Sequence, residues 1–228
     1  MELLKGKGII TPIQRDLLFE FGKIPETASF YLTGGTALAE FYLGHRRSYD
    51  LDLFTGEGNL IIPFARVLEG KLLREQYVFN VIRRFESFVE IEVKREDESI
   101  MLHLAYDAPF RFEAPNPSEF GIMINDYQDL VVDKLLTFFG RWKHRDAIDL
   151  FLILRSEPIE TLMEMARQKD PGFDLYWFSA ALKEVGEFPD EIGQWPVDLL
   201  VEVDAKEIKG EFLSLAREIM DRIKKSGN

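Results

Sequence analysis

The segment that decides the fold spans residues 32–54 and reads LTGGTALAEFYLGHRRSYDLDLF. The apolar run at residues 30–32 predicts a short buried strand that leads into a Gly-Gly-Thr turn. Residues 36–42 predict a helix that ends near Gly44. Residues 49–54 then alternate polar and apolar side chains with the two-residue period of a strand. The expected order is therefore strand, glycine turn, helix and strand.

Two carboxylates, those of Asp50 and Asp52, share one face of the second predicted strand. Residues two apart on a strand point the same way, whereas Leu51 and Leu53 point to the core. Side-by-side carboxylates repel each other unless a cation lies between them, and Mg²⁺ prefers such oxygen ligands. The pattern alone also fits an acidic strand end exposed to solvent, and this alternative stays open at this point.

The glycine turn has the composition of a phosphate-binding site. Gly34 and Gly35 let the backbone approach a ligand without a side-chain clash. The helix that follows offers unpaired N–H groups and the positive end of its dipole, and Thr36 can cap this helix or contact a phosphate oxygen. Because Gly-Gly-Thr is common in tight turns, the prediction depends on its position one helix before the aspartate pair.

Composition narrows the class of protein. The chain of 228 residues is 46% hydrophobic, has no cysteine and carries a formal net charge of −12. Disulfides and zinc–thiolate sites are therefore excluded, no apolar run predicts a membrane span, and a cytoplasmic location is expected. The acidic balance argues against nonspecific binding of nucleic acid. An RNA partner would need a local basic face, for which the candidates are residues 45–47, 83–84 and 141–145.

Periodicity divides the chain near residue 125. Helical spacing dominates from residue 126 on, and we expect Gly140 to interrupt the first helix there. The predicted fold class is α+β, with a mixed sheet flanked by helices at residues 1–125 and a helical domain at residues 126–228. Within the first part, the pattern predicts one amphipathic helix followed by three strands: residues 63–75, 77–85, 88–94 and 100–106.

Two separated motifs resemble a known family. The first motif comprises residues 34–38 (GGTAL), 43–46 (LGHR) and 48–54 (SYDLDLF), and the second comprises Asp133, Lys134, Leu135 and Leu136 followed by Arg141, Arg145, Asp146, Asp149 and Leu150. The first motif resembles the signature of the nucleotidyltransferase superfamily that includes DNA polymerase beta. Within this superfamily, the two motifs together are most similar to the AbiEii/AbiGii toxin family of abortive-infection and toxin–antitoxin systems.

The resemblance implies a fold and catalytic residues. Residues 1–125 would form a nucleotidyltransferase-like core, and the helical domain would carry the second motif. Asp50 and Asp52 would hold a divalent metal, Mg²⁺ or Mn²⁺, that bridges the triphosphate of an NTP. Lys134 would add positive charge near the leaving pyrophosphate, where negative charge builds up.

Five further residues would bind phosphate by the same resemblance. Gly34, Gly35 and Thr36 would surround the β and γ phosphates. Ser48 would contact a phosphate or simply end the loop. Arg145 would contribute a cation, although its spacing also fits an ordinary i,i+4 ion pair within its own helix.

The family usually supplies a third carboxylate from a neighbouring strand, and this sequence departs from that pattern. The corresponding strand is expected at residues 100–107, where His103 occupies the position of the acid. Asp107 lies four residues on, about 13 Å along the strand at ~3.3 Å per residue. Glu90 or Glu92 on the adjacent strand is an alternative ligand. Otherwise, His103 binds substrate, or metal binding depends on two acids.

Two functions follow from these motifs. The first is a metal-dependent enzyme that transfers a nucleoside monophosphate from an NTP to RNA, such as a tRNA 3′ end, or to a protein. It would be the toxin of a pair, held in check by an antitoxin. The alternative is a weak or inactive nucleotidyltransferase fold that binds a nucleotide or a partner, and His103 is the feature that favours it.

Overall fold

The computed structural model describes residues 3–226, and within this range the chain forms seven strands and eight α-helices. The strands are β1 (Tyr31–Thr33), β2 (Leu51–Thr55), β3 (Val78–Phe85), β4 (Phe88–Arg95), β5 (Glu98–Tyr106), β6 (Asn116–Pro117) and β7 (Met123–Ile124). The helices are α1 (Pro12–Gly22), α2 (Gly34–Ala37), α3 (Ile61–Arg74), α4 (Tyr127–Arg141), α5 (His144–Ile153), α6 (Ile159–Lys169), α7 (Leu175–Glu184) and α8 (Ala205–Ser226).

All seven strands belong to one mixed sheet in the order β3-β4-β5-β2-β1-β7-β6. The pairs β2–β5 and β1–β7 are parallel, and the other neighbouring pairs are antiparallel. This topology puts β2, the strand of the aspartates, between β1 and β5. The predicted α+β class is confirmed, with an N-terminal mixed sheet flanked by helices and a helical C-terminal region.

The central strands alternate between the core and the opposite face. Leu51 and Leu53 of β2, and Leu102 and Leu104 of β5, are fully buried. They pack in one hydrophobic cluster with side chains from α1 and α3, including Leu17, Phe21, Phe64 and Leu68. Each buried leucine contributes roughly 1.5–3 kcal/mol through removal of its apolar surface from water. The residues between the leucines are consequently fixed on the other face of the sheet.

The helix after the glycine turn begins earlier than the sequence suggested. The expected start at Thr36 is wrong, because α2 begins at Gly34 and Thr33 is its N-cap residue. A π-helical turn (Leu38–Leu43) continues the helix and ends at Gly44, which has a left-handed φ of 69°. Glycine tolerates this conformation without a Cβ penalty. Both glycines of the turn thus lie in the first helical turn, with their backbone N–H groups at its open end.

Glu40, on the π-helical turn, binds the backbone of residues 8–10 in the N-terminal segment. Its side chain is 1% exposed. Its carboxylate accepts hydrogen bonds from the backbone N–H groups of Gly8 at 2.9 Å, Ile9 at 2.8 Å and Ile10 at 3.2 Å. Because a buried carboxylate is costly without such donors, these contacts hold residues 8–10 against the helix that starts at Gly34.

The chain divides into two compact units, one up to Leu130 and one from Val131 on. The second unit is helical, and aromatic rings form part of its core. Phe138 makes edge contacts with Phe178 at 6.3 Å and with Phe212 at 5.5 Å between ring centroids. Such pairs add about 0.5–1.5 kcal/mol beyond their area burial.

The prediction that Gly140 interrupts a helix is wrong. Helix α4 continues through Gly140 to Arg141, and the break falls at Trp142, which has a positive φ of 29°. A single glycine costs a helix only about 1 kcal/mol, which the packing of α4 offsets. Among residues 3–226, no helix has both the length and the apolar character that crossing a membrane requires.

Candidate active site

One level of the sheet carries a row of polar residues, one from each of four adjacent strands. Strand register places Thr33 opposite Asp52, Asp52 opposite His103, and His103 opposite Glu90. All four side chains lie on the face opposite the leucine core, because they alternate with buried residues along their strands. Asp50 directly precedes β2, so the two predicted metal ligands lie at the start of that strand.

Asp52 and His103 are in direct contact. His103 Nδ1 lies 2.8 Å from Asp52 Oδ1, and since an ionised carboxylate only accepts, the ring donates this bond. On its other side, His103 Nε2 lies 3.6 Å from Glu90 Oε1. The hydrogen bond to Asp52 raises the pKa of His103 above its ordinary value, and the charges of Asp52, Asp50 and Glu90 act in the same direction, while burial opposes them. His103 is thereby stabilised as a cation among acids.

Gly34 is required by its contact with Asp52. Its φ is 72°, and a Cβ at this position would lie 2.1 Å from Asp52 Oδ2. A side chain would therefore be both strained and in collision. The first residue of the helix and the carboxylate consequently touch, which puts the open N–H groups of the turn beside Asp52.

Gly35 and Thr36 pack against the loop that leads into β2. A Cβ on Gly35 would lie 2.7 Å from Ser48 Oγ and 2.8 Å from Arg46 Nη2. The buried hydroxyl of Thr36 donates to the carbonyl oxygen of Asp50, with the Ser48 carbonyl oxygen 3.3 Å away. The Thr36 side chain therefore fixes the approach to the aspartates, and its role in phosphate binding stays a prediction.

Two residues that the sequence analysis missed, Asn125 and Arg111, continue the polar row on the other side of Asp52. Asn125 follows β7 and donates from Nδ2 to Thr33 Oγ1 at 2.9 Å. Arg111 bonds to the side-chain oxygen of Asn125, and its guanidinium lies 4.2 Å from the centroid of the Tyr31 ring. No pattern in the sequence indicates these contacts. They depend on the parallel pairing of β1 and β7, which brings Thr33 and Asn125 together although they lie 92 positions apart in the chain.

The second motif forms buried ion pairs within the helical unit. Lys134 Nζ lies 2.7 Å from Asp149 Oδ2, and their side chains are 7% and 0% exposed. Arg141 binds the buried Asp146 with two hydrogen bonds, of 2.9 and 3.1 Å. Arg145 is half-buried in the first turn of α5. The helices α4 and α5 thus hold the Lys134 ammonium on a carboxylate that is itself fully buried.

Most of the basic residues proposed for RNA binding are buried or form ion pairs with other residues of the chain. His45 and Arg46 are buried, with 2% and 3% of their surface exposed. Three further arginines of these stretches form ion pairs: Arg83 with Glu90, Arg84 with Glu69, and Arg141 with Asp146.

The donor set fits a divalent cation that is bound together with substrate. Within residues 3–226, no group of three or more His, Cys, Asp or Glu side chains is arranged to hold a metal ion. Asp50 and Asp52 supply two carboxylates, and Mg²⁺ is often held by one or two carboxylates and completed by substrate phosphates.

A glycine turn against a strand aspartate, on a mixed sheet followed by helices, defines a nucleotidyltransferase fold. The family profile described as nucleotidyl transferase AbiEii toxin, type IV toxin–antitoxin system, matches residues 16–221. The chain therefore belongs to the AbiEii nucleotidyltransferase toxin family, and the predicted family is confirmed.

Solved structures show the same fold. JHP933 from Helicobacter pylori is 19% identical with a TM-score of 0.54, and the similarity covers 94% of this chain and 92% of that one. MenT4, a nucleotidyltransferase toxin from Mycobacterium tuberculosis, is 14% identical with a TM-score of 0.55, covering 88% of this chain and 80% of that one. Among curated protein sequences, no relative is detected.

Proposed function

We propose that this chain transfers a nucleoside monophosphate from an NTP to an acceptor, with the site at Asp50 and Asp52. The observation that carries the proposal is the contact between Gly34 and the Asp52 carboxylate. It sets a backbone suited to phosphate beside a carboxylate suited to a cation, as a triphosphate–metal complex requires. Membership of the AbiEii family supports the same reaction class.

The chain's own residues bind and orient the nucleotide. The N–H groups of Gly34 and Gly35 face the phosphates, while Thr36 keeps the loop at Ser48 and Asp50 in place. Asp50 and Asp52 would hold the divalent cation, which when bound neutralises phosphate charge and polarises the reacting oxygens. Because most catalysis of phosphoryl transfer comes from positioning and electrostatics, this fixed arrangement is what the reaction needs.

By the family resemblance, Lys134 would supply a positive charge for the leaving pyrophosphate. Its ammonium is held on Asp149 at 2.7 Å, which fixes the position of a flexible side chain. Arg145, on the following helix, is proposed to contact phosphate as well.

The acceptor that we favour is RNA, in particular a tRNA 3′ end, with a protein side chain as the other candidate. The family is that of a type IV toxin, so an antitoxin would control the activity. Because the reaction consumes NTPs, the cytoplasm is the compartment in which it would take place.

The test is incubation with each labelled NTP, Mg²⁺ and total tRNA, and in parallel with protein acceptors. Wild-type protein should transfer label, and Asp50→Ala/Asp52→Ala should not. Asp97→Ala is the matched control, because Asp97 is an exposed aspartate in the turn between β4 and β5. Equal transfer by wild type and the double variant would show that the site is misassigned.

A specific observation favours a second candidate, a nucleotide- or partner-binding module with little transfer. His103 stands directly opposite Asp52, where a third acid is expected. Calorimetry separates the two functions. Tight NTP binding, without turnover on any RNA or protein acceptor, would favour the binding module over the enzyme.

A further inference from the structure

The two oxygens of the Asp52 carboxylate face different neighbours. Oδ1 accepts the hydrogen bond from His103 Nδ1 at 2.8 Å. Oδ2 faces the glycine turn, since a Cβ on Gly34 would lie 2.1 Å from it. An aspartate that bridges two ions offers one oxygen to each. Here one oxygen is directed to the phosphate side, and the other is already bound to an imidazole.

The His103 ring lies between two carboxylates, as a bridging cation would. Its Nδ1 contacts Asp52, and its Nε2 lies 3.6 Å from Glu90 Oε1. Phe88 stacks on the ring, with 5.7 Å between centroids and 28° between planes. The ring is therefore held in place by contacts at both nitrogens and on its face.

The other acids near this strand are engaged elsewhere. Glu92 pairs with Lys94 at 2.8 Å, and Asp107 accepts a hydrogen bond from the Tyr31 hydroxyl. Glu90, on the far side of the imidazole, pairs with Arg83 at 3.2 Å. A hard cation on the Oδ1 side would thus have to displace the imidazole and break this ion pair before it gained a third carboxylate. Mg²⁺ prefers oxygen ligands and dehydrates reluctantly, so this exchange is unfavourable.

We propose that the site takes one divalent cation with the NTP, on the Gly34 side of Asp52, and that His103 fills the place of a second. This inference rests on the proposed nucleotidyltransferase function and specifies its metal requirement. His103 acts here as a positioning residue, which keeps Asp52 Oδ1 occupied and turns Oδ2 to the phosphates.

The inference predicts what a substitution at His103 does. Asp52 and His103 are direct neighbours on parallel strands, and carboxylates at paired positions are close enough to share an ion. His103→Asp should therefore create a second ion site beside the first. His103→Asn keeps a hydrogen-bond donor at the same place but adds no charged ligand, so it is the matched control.

The experiment counts Mn²⁺ ions in the complex with a non-hydrolysable nucleoside triphosphate. Native mass spectrometry gives the number of ions per chain, and electron paramagnetic resonance detects whether two ions are spin-coupled, as ions ~3.5–4 Å apart are. We expect one uncoupled ion in wild type and in His103→Asn, and a coupled pair in His103→Asp. Circular dichroism checks that each variant is folded.

The outcomes separate this inference from the proposed function. Two coupled ions in wild type would overturn the inference, while nucleotide transfer at Asp50 and Asp52 could stand. A folded His103→Asp variant that binds one ion would overturn it as well. No ion in wild type with bound nucleotide would overturn both. If His103→Asp does not fold, the numbers of Mn²⁺ ions bound by wild type and by His103→Asn still test the inference, because each should bind one ion.

Discussion

His103 and His144 lie in opposite surroundings. His103 lies between Asp52 and Glu90, and its hydrogen bond to Asp52 raises its pKa. His144 packs with its ring centroid 4.1 Å from that of Phe188 and 5.2 Å from that of Trp195, and its burial lowers its pKa. The same side chain is thus stabilised as a cation in the sheet unit and as a neutral ring in the helical unit.

The difference shows how the two units use charge. In the sheet unit, acids gather around one position and remain partly exposed, as with Asp52 at 23% of its side-chain surface. In the helical unit, charges are buried in pairs, as in Lys134 with Asp149. We therefore expect removal of the Asp52 charge to affect chemistry more than stability, and removal of the buried Asp149 charge to affect stability first.

The largest effect is expected from Asp149→Ala. This change leaves the Lys134 ammonium buried without its carboxylate, which costs about 3–5 kcal/mol. Urea unfolding should show a loss of that size. The control is Glu160→Ala, which breaks an exposed pair with Arg222 and should cost at most about 1 kcal/mol. Similar losses in both variants would remove the contrast between buried and exposed pairs.

Asp52→Asn should separate chemistry from stability. We expect nucleotide transfer to fall at least about a hundred-fold, because a charged ligand worth several kcal/mol in the transition state is lost. The free energy of unfolding should change by less than about 1 kcal/mol, since Asp52 is partly exposed. An NMR titration should also show a lower pKa for His103. Asp97→Asn is the control for all three measurements. A large loss of unfolding free energy in Asp52→Asn, with little loss of nucleotide transfer, would contradict the comparison.

Gly34→Ala should destabilise the protein less than Asp149→Ala does and should affect activity less than Asp52→Asn does. A left-handed φ costs a residue with a Cβ about 1–2 kcal/mol, and the methyl group would push the Asp52 carboxylate aside. Thermal unfolding and calorimetric titration with NTP should show a modest destabilisation with clearly weaker binding. Gly70 in α3 has open space around its Cβ position, so Gly70→Ala should be neutral or stabilising. Undiminished NTP binding by Gly34→Ala would argue against the phosphate site.

The smallest effect is the pH dependence of stability, and the two histidines should contribute with opposite signs. The raised pKa of His103 gives stability that is complete below the unfolded value of about 6.5 and is lost as the pH rises through the folded value. The lowered pKa of His144 gives stability that is present above about 6.5 and is lost as the pH falls through the folded value. Unfolding free energies from pH 5 to 8 for His103→Asn and His144→Asn test this, because each variant should lose one slope and keep the other.

The sequence predicted those parts of the fold that depend on local pattern. The alternation around Leu51 and Leu53 predicted a strand with the aspartates on one face, and the spacing after residue 126 predicted helices. Gly140 misled the prediction because a glycine penalty is small compared with tertiary packing. The start of α2 at Gly34 could not be seen either, because the close approach of Gly34 to Asp52 follows from the pairing of β1 with β2.

Some residues of the candidate site could likewise be predicted from the sequence, and others could not. The family resemblance pointed to His103 as a neighbour of the aspartates, because it implied which strand lies beside theirs, and the pairing of β2 with β5 sets His103 opposite Asp52. Asn125 and Arg111 had no such signal. They approach Thr33 through the pairing of β1 with β7, which joins distant parts of the chain and leaves no local pattern.

The fastening of the N-terminal segment by Glu40 has a consequence for handling the protein. The backbone groups of Gly8, Ile9 and Ile10 are the donors to this buried carboxylate. A protease cut that releases residues 1–10 would leave an unpaired charge inside the helix that begins at Gly34. We therefore expect trimming of this end of the chain to destabilise the helical segment that follows the glycine turn, so preparations of the protein should be checked for intact residues 8–10 before low activity is assigned to a change in the site.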